Sequence, residues 1–123
     1  VPVLDRFVFN SSFYLEPYAI PADISTNPHA YGRGGWSLYT GAAGWYYRTI
    51  LEKMLGVNIT GNTVTFSPCI PTTLNDCKLT LTNGGRKMLI TYLRKGESKV
   101  FQDGQERISV QFKNIDTQIE VWY

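Results

Sequence analysis

Thr40-Gly41 stands between a glycine- and aromatic-rich run, Gly32-Arg33-Gly34-Gly35-Trp36-Ser37-Leu38-Tyr39, and an apolar pattern with the look of a helix. Residues of these types in this order suit an anion. The first N–H groups of a helix have no partner within it, and the helix dipole puts partial positive charge at that end. Thr40 reads as the N-cap, with a hydroxyl that could cap the helix or donate to a ligand. Gly41 would let a ligand come close to the backbone. A phosphate-sized anion at Thr40 and Gly41 is therefore one reading. A tight loop whose glycines serve only positive φ or close packing is the other.

The run is not a dinucleotide fingerprint, because the third glycine counted from Gly32 would fall at Ser37. It is not a P-loop either, since no Gly-Lys pair occurs in the chain. Other chemistry-bearing residues are sparse. His29 is the single histidine and has no evident triad or zinc partners, so it reads as a loop residue. Glu16 and Asp23 would lie about 10 Å apart along one helix face. A hydrolytic carboxylate pair is conceivable there, against capping by Glu16 and ordinary solvation of Asp23. Trp36 and Trp45 could form a sugar platform or anchor a core, and Trp45 reads as a core residue of a buried helix. Arg33 could be a second anion contact or a solvated loop residue.

The elements that must position these groups divide the chain. Glu16-Pro17 resembles a helix start, giving a short helix to about Ser25 that Pro21 would strain. Gly32 to Tyr39 reads as irregular backbone. Gly41 to Leu55 is the clearest helix, with Trp45, Tyr46, Tyr47, Ile50, Leu51, Met54 and Leu55 covering most of its circumference and Gly56 as its stop. After Gly56 the period becomes two. Asn58 to Phe66 reads as two strands around Gly61-Asn62. Cys77–Thr82 and Arg86–Leu93 read as strands around Asn83-Gly84-Gly85, and Ile108–Phe112 and Gln118–Trp122 as two more. The expected division is residues 1–56, helical, and residues 57–123, an antiparallel sheet or sandwich. A helix apolar on several sides needs more cover than one small sheet provides, so part of its packing partner is expected from elsewhere.

A chain of 123 residues with 43% hydrophobic and 14% aromatic content is globular. Net charge is +2 and the basic residues are scattered, which leaves no nucleic-acid footprint. Cys69 and Cys77 are expected as free thiols. Asn10-Ser11-Ser12 and Asn58-Ile59-Thr60 match the glycosylation sequon, a frequent chance match. No secretory leader or apolar run of membrane-spanning length is evident, so a cytoplasmic location is expected, with a parent protein that could associate with a membrane. The start at Val1 suggests a processed product or a piece of something larger.

The run Glu16-Pro17-Tyr18-Ala19-Ile20-Pro21-Ala22-Asp23-Ile24, together with Gly32 through Arg48, closely resembles the end of the catalytic region in glycoside hydrolase family 94. That family holds cellobiose and chitobiose phosphorylases and the phosphorylase-like C-terminal region of cyclic β-1,2-glucan synthases. Leu51-Glu52, Leu55-Gly56 and Pro68-Cys69-Ile70-Pro71 fit the same pattern. Arg33-Gly34-Gly35-Trp36 before Tyr39-Thr40-Gly41 looks most like the glucan-synthase branch. The resemblance covers about Glu16 to Pro71; residues 1–15 depart from it.

The resemblance implies an α+β fragment: the last helices of an (α/α)6 barrel followed by a C-terminal antiparallel β-sandwich. It implies phosphate binding at Thr40 and Gly41, with the family's other phosphate ligands and its general acid upstream of this sequence. Those roles are not carried onto Arg33, His29, Asp23 or Asp5. The implied parent is an inverting glycoside phosphorylase acting on β-glucan or β-linked glucose oligosaccharides. Inorganic phosphate would be its substrate, with no cofactor and no metal. The fragment alone is expected to be inactive. A different class of function stays open, a non-catalytic carbohydrate-binding or assembly module built on Tyr92, Phe112 and Trp122. A homodimer formed through the apolar helix face is a third expectation.

Overall fold

The structure, a computed structural model, describes Leu15, residues 19–74 and residues 76–123. The chain divides into two compact units, one ending at Thr49 and the other Ile50–Tyr123.

In the first unit, β1 (Asp23–Ile24) pairs antiparallel with β2 (Gly34–Gly35), with Asp23 opposite Gly35 and Ile24 opposite Gly34. The backbone N–H of Ala22 donates to Gly35 O at 3.1 Å and that of Ser25 to Arg33 O at 2.8 Å, extending the pairing on both sides. The loop between them holds a 3-10 turn, Pro28–Ala30, where the Asn27 side chain accepts from His29 N at 2.9 Å. The helix expected to run to Ser25 is therefore not seen over residues 19–25; Glu16-Pro17 lies outside the described residues. Cross-strand pairing decides the conformation here, because the glycines of β2 admit a close approach. A side chain on Gly34 would meet that of Leu15, and one on Gly35 would meet the Asp23 carboxylate. The α-helix α1 (Thr40–Arg48) follows. It continues as a π-helical stretch, Thr49–Met54, so the single helix expected over 41–55 changes pitch.

The second unit is sandwich-like. One sheet has three strands in the order β3-β4-β9: β3 (Val57–Thr60), β4 (Thr63–Phe66) and β9 (Val110–Gln111). The other has five in the order β5-β6-β10-β7-β8: β5 (Cys77–Asn83), β6 (Arg86–Leu93), β7 (Lys99–Gln102), β8 (Gln105–Glu106) and β10 (Thr117–Trp122). Turn chemistry sets the hairpins. Gly61 has φ +60° between β3 and β4, and Gly84 and Gly85 have φ +58° and +79° between β5 and β6. The pairing is antiparallel except that β10 lies parallel to β6, from Thr117 opposite Met88 to Trp122 opposite Leu93. This parallel pair departs from the all-antiparallel expectation, and β10 is inserted between β6 and β7.

Alternation along the strands builds the core. Met88, Ile90 and Tyr92 of β6 and Ile119 and Val121 of β10 meet Val57, Val64 and Val110 of the smaller sheet, with Leu55 and Ile70 completing the cluster. Ile50, Leu51 and Met54 pack against it. One buried polar residue ties the sheets together. The Gln102 side-chain amide donates to Gln111 O at 2.9 Å and accepts from Gln111 N at 3.3 Å, standing in for a strand partner. Gln102→Leu should therefore lower the free energy of unfolding by about 2 kcal/mol, because two backbone groups lose their partner. Urea unfolding followed by circular dichroism checks this; an unchanged midpoint would show the amide to be dispensable. Cys69 is exposed and Cys77 half-buried, and no disulfide joins them. Among the described residues no helix is long and apolar enough to cross a membrane.

Candidate functional site

The start of α1 is built by the loop before it. Tyr39, in extended conformation at φ −76° and ψ 115°, occupies the N-cap position, and its side chain makes no capping bond. Thr40 is therefore the first helical residue and not the cap, a shift of one position from the sequence expectation. The first internal bond runs from Ala43 N to Tyr39 O at 3.2 Å. Among the described residues the N–H groups of the first turn thus have neither a helical acceptor nor a capping side chain, and Thr40 and Gly41 are both exposed. The acceptor oxygen that a Ser or Asp cap would supply is left to water or a ligand. Gly41 has room on its open side only: a Cβ there would lie 3.1 Å from the Tyr39 ring.

The loop is strained. Trp36 has φ +49° and Leu38 φ +63°, in the left-handed region that bulky side chains rarely adopt. Each costs about 1–2 kcal/mol, and such strain gathers where a binding geometry is held. Neither side chain repays this by burial, since Trp36 is 74% and Leu38 73% exposed. Trp36 and Tyr39 contact each other with ring centroids 5.8 Å apart. Leu38→Gly should raise stability by roughly 1 kcal/mol, because glycine accepts this φ without the Cβ clash. Leu38→Ala should not, since alanine keeps the clash. Thermal unfolding of the two variants decides between strain and a simple loss of the leucine side chain.

Beside Gly41 lies an open depression of about 500 Å³, walled by Pro21, Ala22, Tyr39, Ala42, Trp45 and Tyr46. Burial holds the Tyr46 hydroxyl above its ordinary pKa. Trp45, read from sequence as a core residue, is 73% exposed, and Tyr47 is exposed as well. No residue of α1 is buried. The reason is that its apolar residues run around the helix instead of along one stripe, so no single neighbouring surface covers them. His29, Asp23 and Arg33 are exposed, and nothing in the described residues gathers them with Thr40. Among the described residues no group of three or more His, Cys, Asp or Glu could hold a metal. The aromatic row of Tyr92, Phe112 and Trp122 does not form, because Tyr92 lies in the core and Phe112 packs against it.

No protein-family model matches the chain. It is 42% identical over 59 residues to the cyclic beta-(1,2)-glucan synthase NdvB of Rhizobium meliloti (strain 1021), which is 48% of this chain and 2% of that protein. It is 31% identical over 102 residues to the solabiose phosphorylase of Paenibacillus borealis, a phosphorylase of the family 94 type, which is 81% of this chain and 13% of that protein. The chain thus spans a small part of either relative. Both bear out the resemblance to a family 94-like region related to the glucan synthase.

Proposed function

We propose that the chain is the C-terminal portion of an inverting glycoside phosphorylase or of the phosphorylase-like region of a cyclic β-1,2-glucan synthase, and that Thr40 and Gly41 form one wall of its phosphate site. The observation that carries this is the start of α1 behind a strained loop, where Tyr39 at the N-cap makes no side-chain capping bond and Thr40 and Gly41 are exposed. Residues 1–56 would then be the last helical part of a barrel and residues 57–123 its sandwich.

In such a reaction a carboxylic acid protonates the leaving glycosidic oxygen while phosphate attacks the anomeric carbon from the opposite face. The C–O bond to the leaving sugar breaks, a C–O bond to phosphate forms, and the proton ends on the released hydroxyl. Phosphate is already nucleophilic, so the protein's task is to hold a dianion in line. Aligned N–H groups and a hydroxyl at a helix start serve that task. The acid lies outside this sequence, and the substrates are a β-linked glucose oligosaccharide and inorganic phosphate.

The 123-residue chain mixed with β-glucan and phosphate should release no sugar 1-phosphate; turnover would overturn the placement of the acid. Phosphate titrated into the 15N-labelled chain should move the amide resonances of Thr40 and Gly41. In the full-length protein Thr40→Val should raise the KM for phosphate about tenfold, the worth of one hydroxyl donor to a charged group. An unchanged phosphate KM together with still amide resonances would sink the site.

A further inference from the structure

We infer that the outer face of the five-stranded sheet binds a neutral oligosaccharide chain. Strand alternation puts one set of side chains on that face. Lys78, Thr91, Glu120 and Phe101 stand in a straight row across β5, β6, β10 and β7, with Thr80, Leu89 and Gln118 as a second row beside it. Together they line a concavity of about 780 Å³ in the middle of the sheet.

The lining chemistry selects the ligand class. Two hydroxyls, a carboxamide, one carboxylate and one ammonium offer both donors and acceptors with no dominant sign of charge, which suits a polyol better than an anion or a cation. Asp103 and Asp116 at the rim are already used within the protein. The Asp103 carboxylate accepts from Lys113 Nζ at 2.5 Å and from Gln118 N at 3.0 Å, bonds that hold its pKa below the ordinary value. That of Asp116 accepts from Lys87 N at 2.7 Å. Phe101 supplies an apolar surface for the C–H face of a sugar. Its ring is held 4.7 Å from that of Trp122, whose Nε1–H donates to Glu120 Oε2 at 3.3 Å. The aromatic pair and the carboxylate are thus positioned before any ligand arrives. The middle of the concavity lies over β6 and β10, each paired on both sides, so a peptide strand could add only at the outer edge of β5 and not across the row itself.

The choice of a glucose oligosaccharide as probe rests on the phosphorylase reading; the site itself rests on the sheet. Titrating β-1,2-linked gluco-oligosaccharides into the 15N-labelled chain should shift the amides of Thr80, Thr91, Phe101, Gln118 and Glu120 and the indole N–H of Trp122. Phe101→Ala should weaken that binding about tenfold. If this variant loses its fold, Thr91→Val, a surface change at the same row, should weaken binding about threefold. Overturning results are no shift at millimolar sugar, shifts confined to other surfaces, or wild-type affinity in folded variants. Phosphate titration of Thr40 and Gly41, run separately, reports on the phosphorylase reading alone, so either reading can fail without the other.

Discussion

Gly56→Ala should destabilise the β-rich unit by about 2–5 kcal/mol. Gly56 is buried where the π-helical stretch turns into β3, with φ +66°. An alanine there meets two penalties. The left-handed conformation alone costs about 1–2 kcal/mol for a residue with a Cβ. The Cβ would also run into the backbone of Ser67 and Pro68, which has no rotamer by which to give way. That backbone is held in place by bonds the glycine helps to make. Ser67 N donates to Gly56 O at 2.9 Å, and Cys69 N to Met54 O at 2.8 Å. Moving it would disturb the path of Leu55 and Val57 into the core. Gly61 is the control, with φ +60° and open space around a Cβ. Gly61→Ala should cost only the conformational share. Equal losses for the two variants, measured by urea unfolding, would show that the close approach at Gly56 is not what matters.

The contrast between those two glycines also separates what a sequence encodes locally from what it does not. Gly61-Asn62 and Gly84-Gly85 are local signals, and each correctly announces a hairpin because the turn geometry is written in the turn residues themselves. Gly56 was readable as the helix stop for the same reason. The hairpin of β7 and β8 was missed although Asp103-Gly104 is the same kind of signal. Its strands are short, and after Val100 the next inward position of β7 is Gln102, where an apolar residue would have continued the alternation. The parallel pairing of β6 with β10 joins segments far apart in sequence, and no local pattern encodes it. Ile108, expected in a strand, is 98% exposed, and β9 shrinks to Val110–Gln111.

At the candidate site the motif was readable and the geometry was not. Thr40 and Gly41 fall at the start of α1 as their types suggest, but one position later than a capping threonine would. The left-handed backbone at Trp36 and Leu38 could not be expected from residue type, because bulky side chains oppose it. The apolarity of Trp45 predicts a core position, yet a large apolar residue is buried only where a second surface meets it.

Tyr92 carries the other large effect, and two substitutions there should move stability in different ways. Its side chain is fully buried in β6, with its ring 6.2 Å from that of Phe66 in an edge-on contact. Tyr92→Ala leaves a cavity among Met88, Ile90, Ile119 and Val121 and should cost about 3–5 kcal/mol. Tyr92→Phe keeps the ring and removes a hydroxyl that has no hydrogen-bond partner among the described residues, so it should be neutral or stabilising by up to about 1 kcal/mol. The alkaline limb separates the hydroxyl from the ring. Burial, with a smaller contribution from Cys77, raises the Tyr92 pKa far above its ordinary value near 10.0. Below that value both folded and unfolded chains keep the proton, and the contribution to stability is fully present. As pH rises past it the unfolded chain ionises first, so it holds fewer protons than the folded one and stability falls. Tyr92→Phe abolishes this difference. Its urea midpoint should decline less steeply than that of the unsubstituted protein between about pH 9 and pH 11. Parallel alkaline limbs would mean that the hydroxyl reaches solvent. A loss of more than about 1 kcal/mol in Tyr92→Phe at neutral pH would mean that it has a partner inside the sandwich.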